Sequence, residues 1–155
     1  MKRALDIPDV SKPESSLWPA DLGSERAALG ACLMGQASDA VKLLQPDDFS
    51  LSAHRAIFAA IKELVRCGDC VIDYSLLAAA LGKNRALDEV GGAPYLTGLD
   101  LGVVPEIPIE SRVRYLRPLA ERRRLLKLLE RGIEQLADPG TDTDETKSWL
   151  LEMLK

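Results

Sequence analysis

The chain has 155 residues, of which 46% are hydrophobic and 28% charged, a composition typical of one globular domain rather than of a disordered chain. Its formal net charge of -4 argues against a dedicated nucleic-acid-binding protein, which needs Lys and Arg in excess to neutralise phosphates. The three cysteines are too few for a secreted disulfide framework, and the sequence contains neither a signal peptide nor an apolar run of membrane-spanning length. We therefore expect a cytoplasmic protein without a membrane segment.

The chain begins with a proline-rich stretch, residues 1–20. We interpret this stretch as a flexible N-terminal arm. A helix is predicted to follow, with Ser24 as its N-cap and Gly35 as its stop signal. A second, short helix is predicted to start at Ser38 and to end before Pro46.

The clearest helix is predicted over residues about 52 to 66, where apolar residues follow the i, i+3, i+4, i+7, i+8 pattern of one buried face. These residues are Ile57, Phe58, Ile61, Leu64 and Val65. His54 lies on or beside this face and is the only histidine of the chain. We expect His54 to be a packed, hydrogen-bonded structural residue, because no second His completes a common metal or catalytic set.

The two cysteines that follow, Cys67 and Cys70, have the C-x-x-C spacing of redox and zinc motifs. Gly68 ends the preceding helix and Asp73 is the predicted N-cap of the next one, so the motif lies in a connector between helices. Cys67 is then at a helix C-terminus, where the helix dipole disfavours the thiolate. We interpret the spacing as incidental.

The second half of the chain continues to predict helices and contains no alternating β pattern. A short helix is expected to end at Gly91, Pro94 suits the first turn of the next helix, and residues 101–108 are expected to form a loop. A long helix and a closing helix, joined by a tight turn, form a helical hairpin. The predicted fold is all-α: a flexible arm (1–20), a globular head of about six helices (21–108) and a hairpin (109–155).

The hairpin helices carry apolar residues that two helices alone cannot bury completely, so we expect this face to associate with another subunit. Its residues are Leu125, Leu129, Ile133, Leu136, Trp149, Leu150, Met153 and Leu154. The long helix also carries a basic cluster that could bind nucleic acid or simply be a solvated face. This cluster comprises Arg122, Arg123, Arg124, Lys127 and Arg131.

Motifs for catalysis are missing from the sequence: there is no G-x-x-x-x-G-K-[ST], G-x-G-x-x-G, H-E-x-x-H or G-x-S-x-G segment. We assign no catalytic, cofactor-binding or metal-ligating residue and no cofactor, and expect an interaction module rather than an enzyme.

The segment "PDDFSLSAHRAIFAAIKELVRCGDCVIDYSLLAAAL", followed by "LDEVGGAPYL", resembles the N-terminal domain of the DnaB family of bacterial replicative DNA helicases. The matching motif residues are Asp48, Phe49, His54, Ile57, Phe58, Ala60, Ile61, Leu64, Gly68, Ile72, Asp73, Leu87, Val90, Gly91, Gly92, Tyr95 and Leu96. Two positions depart from the family pattern. Cys70 stands where the family often has Pro, and Pro118 lies within a helix that is continuous in the family, so we expect that helix to be interrupted near Arg117.

The resemblance implies a head and hairpin that assemble with themselves, as a dimer or within a hexameric ring, and that dock DnaG primase and, in some systems, a helicase loader. DNA would be bound only through the whole ring. The ATPase motor with its P-loop would belong to a further domain, so we expect the chain to be a fragment of an ATP-dependent helicase. Two alternatives remain open: a free-standing regulator that mimics this domain, and a weak nucleic-acid-binding module.

Overall fold

The computed structural model describes residues 18–68 and 71–155, and in these two ranges it contains helices and turns but no strand. A short 3-10 turn spans Pro46–Asp48, and the segment Cys32–Gln36 is a kink in which Met34 and Gly35 have non-helical backbone angles. The α-helices are α1 Leu22–Ala31, α2 Ala37–Leu43, α3 Ser52–Arg66, α4 Tyr74–Lys83, α5 Gly92–Thr97, α6 Ile109–Ala137 and α7 Thr143–Met153. The predicted all-α class is confirmed.

The core of the head, residues 20–121, is built around α3. The rings of Phe49 and Phe58 lie 5.0 Å apart between centroids, and Phe58, Ile57 and Ile61 are completely buried. Leu64 and Val65, at the end of the same face, are partly buried. The apolar periodicity therefore predicted both the bounds and the buried face of this helix correctly.

The first helix is capped by Asp21 and not by Ser24, so the predicted cap was wrong. One carboxylate oxygen of Asp21 accepts a hydrogen bond from the Ser24 backbone N at 3.0 Å, and the other accepts from the Ser24 hydroxyl at 2.7 Å. These two bonds lower the pKa of Asp21. Further along, Gly35 has a φ of 97°, which only glycine adopts readily, so the chain turns here between α1 and α2 as expected.

The connectors around α4 and α5 agree with the sequence prediction in part. Asp73 caps α4 by accepting a hydrogen bond from the Leu76 backbone N at 2.8 Å. Cys67 is the C-cap residue of α3, whereas Cys70 lies outside the described residues. The short helix expected before Gly91 is instead a series of turns, and Gly91 and Gly92 both have positive φ.

Pro118 lies inside α6, which runs without interruption from Ile109 to Ala137. The predicted break near Arg117 was therefore wrong. Proline removes one backbone hydrogen bond and its ring crowds the preceding turn, at a cost of about 3 kcal/mol. Leu116 before Pro118 is buried in the core of the head and Ala120 after it is also buried, and this burial offsets the cost.

The second compact unit contains, among the described residues, Trp18, Pro19 and residues 122–155. The boundary between these compact units falls within α6, and Ile109 and Val113 are buried with the core of the head. In this second unit a turn over residues 138–142 joins α6 to α7. Of the helices described, none is both long and apolar enough to cross a membrane.

Candidate functional site: an apolar face of the hairpin

The contact between α6 and α7 is made around a glycine. A Cβ atom placed on Gly132 would lie 3.2 Å from Cδ2 of Leu150, so the two helices approach each other closely here. Leu128, one turn before Gly132, is 9% exposed and Thr146 on α7 is buried. These four residues form the inner face of the hairpin.

A second apolar face of α6 lies beside this contact and is open. Its five residues are between 41% and 56% exposed, and at 3.6 residues per turn they fall within an arc of about 100°. They are Leu125, Leu126, Leu129, Ile133 and Leu136. We refer to these five residues as the α6 stripe.

The α6 stripe contains all four α6 residues that the sequence predicted for a subunit interface. Leu150 of α7 packs on Gly132, beside this set, and the five residues of the stripe stay exposed. Of the α7 residues predicted for the same interface, Met153 and Leu154 are exposed, whereas Trp149 and Leu150 are partly buried. Leu126 was not among the residues predicted for the interface, although it lies three residues before Leu129 and thus on the same face.

The predicted basic cluster is not one open patch. Arg123 is buried and donates a hydrogen bond from Nη1 to the Pro19 carbonyl at 2.7 Å. Nζ of Lys127 lies 5.6 Å from the centroid of the Trp18 ring, within reach of a cation–π interaction. The remaining members, Arg122, Arg124 and Arg131, are exposed, so two of the five cations are engaged by the segment that precedes α1.

A polar cluster in the core of the head connects three helices. Nδ1 of His54 lies 2.7 Å from Oε2 of Glu25, and Nε2 of His54 lies 2.7 Å from the Tyr95 hydroxyl. The second carboxylate oxygen, Oε1, accepts a hydrogen bond from the Ser50 backbone N at 2.7 Å. Glu25 and His54 are buried, and the Phe49 ring packs edge-on against His54.

The electrostatics of this cluster favour an ionised Glu25. Burial by itself raises the pKa of Glu25, but the hydrogen bonds from His54 and Ser50 outweigh burial, so its pKa is below the ordinary value. His54 is packed and hydrogen-bonded, as the sequence predicted, whereas its partner Glu25 was missed. The available signal was position: Glu25 lies three, four and seven residues before the buried Ala28, Leu29 and Cys32, on the apolar face of α1.

The thiol that could have joined a metal site with His54 is Cys32. It is buried, and burial raises its pKa to about 12, which opposes the thiolate form that metals bind. Within residues 18–68 and 71–155, no three metal-ligating side chains come together. The motif residues around His54 thus hold the head together: Ile57 and Phe58 fill the core, Asp73 caps α4, and Gly91 and Gly92 turn the chain toward Tyr95.

Comparisons with known proteins agree on one family. The family model for the DnaB-like helicase N terminal domain matches residues 18–117. The chain is 29% identical over 136 residues to the replicative DNA helicase DnaB of Geobacillus stearothermophilus, covering 86% of this chain and 29% of that helicase. It is 37% identical over 128 residues to the replicative DNA helicase DnaB of Treponema pallidum, with 79% of this chain and 29% of that helicase covered.

Solved structures show the same likeness. The crystal structure of the N-terminal domain of DnaB helicase from Mycobacterium tuberculosis has a TM-score of 0.70 at 28% identity, with 87% of this chain and 96% of that chain covered. A structure of a DnaB-like replicative helicase and its interactions with primase has a TM-score of 0.67 at 26% identity, covering 86% of this chain and 31% of that chain. The chain spans less than a third of the length of the helicases it matches. It belongs to the family of DnaB-like helicase N-terminal domains.

Proposed function

We propose that this chain is the non-catalytic assembly and primase-docking domain of a replicative helicase. The observation that carries the assembly role is the α6 stripe, which leaves five large apolar side chains on one face of the hairpin without cover from α7. Apolar surface of this extent is typical of an interface between proteins. A pair of hairpins related by a two-fold axis would bury both stripes in a four-helix arrangement.

The primase-docking role rests on similarity to another member of the family. A member of the family with the same fold has been described with its interactions with primase, and we transfer that partner class to this chain. A helicase loader is the second partner that the family implies. The ATPase motor would lie in a further domain, because the relatives are more than three times as long as the matched region.

The nucleic-acid-binding alternative is less favoured by the geometry. Two of the five basic residues on which it depended contact Trp18 and Pro19. The regulator alternative predicts the same fold and partners, so structure alone does not distinguish it from the helicase. The downstream coding sequence does: a P-loop encoded in the same reading frame would indicate the helicase.

Assembly is tested by sedimentation velocity on the 155-residue chain and on the variant Leu129→Glu with Ile133→Glu. Both residues belong to the α6 stripe and neither belongs to the inner face of the hairpin, so helicity by circular dichroism should be kept. The wild-type chain should sediment as a dimer or larger species at about 100 μM, well above a micromolar dissociation constant, and the variant as a monomer. Val71→Glu, at an exposed position of the head, is the matched control.

Primase docking is tested separately by titrating the C-terminal helicase-binding domain of DnaG into the chain in a calorimeter. Binding in the micromolar range or tighter is expected. A wild-type chain that stays monomeric at about 100 μM contradicts the assembly role, and absence of heat with the primase domain contradicts the docking role.

A further inference from the structure

The residues just before α1 are anchored on α6. The Pro19 carbonyl accepts a hydrogen bond from Nη1 of Arg123 at 2.7 Å, and Nζ of Lys127 lies over the Trp18 ring, 5.6 Å from its centroid. Arg123 is buried, so its contact with Pro19 is part of the packing of this unit. Trp18 and Pro19 are therefore fixed against one side of the hairpin.

The order of these two contacts gives the direction of the chain along α6. Arg123 precedes Lys127 by one turn, which is about 6 Å along the helix axis, whereas Pro19 follows Trp18. From Pro19 back to Trp18 the chain therefore runs toward the C-terminal end of α6. The α6 stripe begins at this level of the helix and continues in the same direction.

The α6 stripe also lies next to this anchor around the circumference of the helix. At about 100° per residue, Leu126 is only about 60° from Arg123, and Leu125 is about 20° from Gly132, where Leu150 of α7 packs. The stripe thus fills one of the two arcs of α6 between the α7 contact and the Pro19 contact. A chain that leaves the anchor needs to cross only a small angle to reach it.

Residues 1–17, which we call the N-terminal segment, precede this anchor in the sequence and lie outside the residues that the structure describes. An extended chain of this length reaches about 50 Å at about 3.3 Å per residue, whereas the α6 stripe is about 16 Å long. The three basic side chains of the segment are balanced by three acidic ones, and its apolar residues include Leu5, Ile7, Val10 and Leu17. The segment is therefore long enough and apolar enough to cover the stripe.

We propose that the N-terminal segment folds back on the α6 stripe of its own chain and competes there with a second copy. The inference rests on the assembly role proposed above and names the segment that regulates it. A segment tethered by a short linker has an effective concentration on the order of 1 mM, so it competes even when its own apolar contacts are weak. The segment and a second copy would bury the same apolar area, so their binding is mutually exclusive.

The competition is tested in the 155-residue chain by replacing three apolar side chains together, Leu5→Ser, Ile7→Ser and Val10→Ser. The dimer dissociation constant, measured by sedimentation velocity, should fall at least about fivefold, because the fraction of chains with an open stripe rises. The matched control, Lys12→Ser with Glu14→Ser, keeps the apolar residues and the net charge of the segment. The control should assemble as the wild type does.

Contact within one chain is tested separately by amide spectra of the 15N-labelled wild type and triple variant. Both are recorded at a concentration at which each sediments as a monomer, so assembly does not contribute. Apart from the substituted segment itself, the shift differences should concentrate at residues 122–137. The control variant should leave the amides of these residues unchanged.

The outcomes separate this proposal from the assembly role. Shift differences confined to residues 1–21, or a triple variant that dimerises as the wild type does, would overturn it. A weaker dimer in the triple variant would also overturn it, because the N-terminal segment would then belong to the interface with the second copy. If both chains stay monomeric at about 100 μM, the assembly role and the competition fail together, and shift differences at residues 122–137 would then support only the contact within the chain.

Discussion

Leu150 of α7 packs directly against Gly132 of α6. A Cβ atom on Gly132 would lie 3.2 Å from Cδ2 and 3.5 Å from Cδ1 of Leu150, so the Leu150 side chain occupies the space that any larger residue would need. The hairpin is therefore sensitive to the size of the side chain at this position.

Gly132→Phe is expected to lower the free energy of unfolding of the hairpin by about 1 to 3 kcal/mol, because the ring would force α7 away from α6. Gln135→Phe adds the same ring at an exposed position of the same helix and is the control. Urea unfolding followed by circular dichroism, at protein concentrations too low for assembly, measures the difference. Equal stability of the two variants would contradict the packing described.

His54→Ala is expected to lower the free energy of unfolding by about 2 to 4 kcal/mol, because the Glu25 carboxylate stays buried and keeps its bond from Ser50 but loses its partner His54. The double variant His54→Ala with Glu25→Leu should recover part of this loss, since it removes the unpaired charge as well. Thermal unfolding of the three proteins tests both statements. A single variant with the wild-type melting temperature would show that the cluster contributes no stability.

The depressed pKa of Glu25 predicts a loss of stability in acid. The pKa of an unfolded glutamate is about 4.3 and that of Glu25 is lower in the folded chain, so the unfolded state binds the proton more readily. The contribution of Glu25 is complete above the unfolded pKa and falls as the pH drops through the folded pKa. Glu25→Gln should show a flatter dependence of unfolding free energy on pH below about 5 than the wild type shows.

Replacing either of two helical glycines with alanine is expected to change the free energy of unfolding, with opposite signs at the two positions. At Gly82 no heavy atom lies within 4 Å of an added Cβ, so Gly82→Ala should raise the free energy of unfolding by about 0.5 to 1 kcal/mol through helix propensity. At Gly30 an added Cβ would collide with the backbone of Leu99 and Asp100. Gly30→Ala should therefore lower the free energy of unfolding by about 1 to 3 kcal/mol. Chemical denaturation of both variants and the wild type gives the sign of each change in the free energy of unfolding.

Arg85 occupies the position after α4 where glycine is usual. Its φ is 56°, and the backbone N of Ala86 and Arg85 donate to the carbonyls of Leu81 and Gly82, the two bonds of a Schellman motif. Arg85→Gly should stabilise the chain by about 0.5 to 1 kcal/mol. Arg85→Ala removes the same side chain but keeps the strain, so it should not stabilise; equal gains in both would exclude the backbone explanation.

The parts of the structure that could be predicted from the sequence are those set by local periodicity. The bounds of α3 and the α6 stripe follow from apolar residues three and four positions apart. The continuity of α6 through Pro118 could not be predicted in this way, because it depends on the burial of Leu116 and Ala120 in the folded chain. Glu25 was missed for the same reason: a single charged residue on an apolar face is explained only by His54, which lies in another helix.

The chain of contacts from Glu25 through His54 to Tyr95 also bears on the order of folding. Its two links join residues 29 and 41 positions apart, whereas the hydrogen bonds of a helix join residues four apart. Loops of this length must close before either link forms. The cluster can therefore form only after α1, α3 and α5 have come together, and during synthesis it must wait for Tyr95 to leave the ribosome.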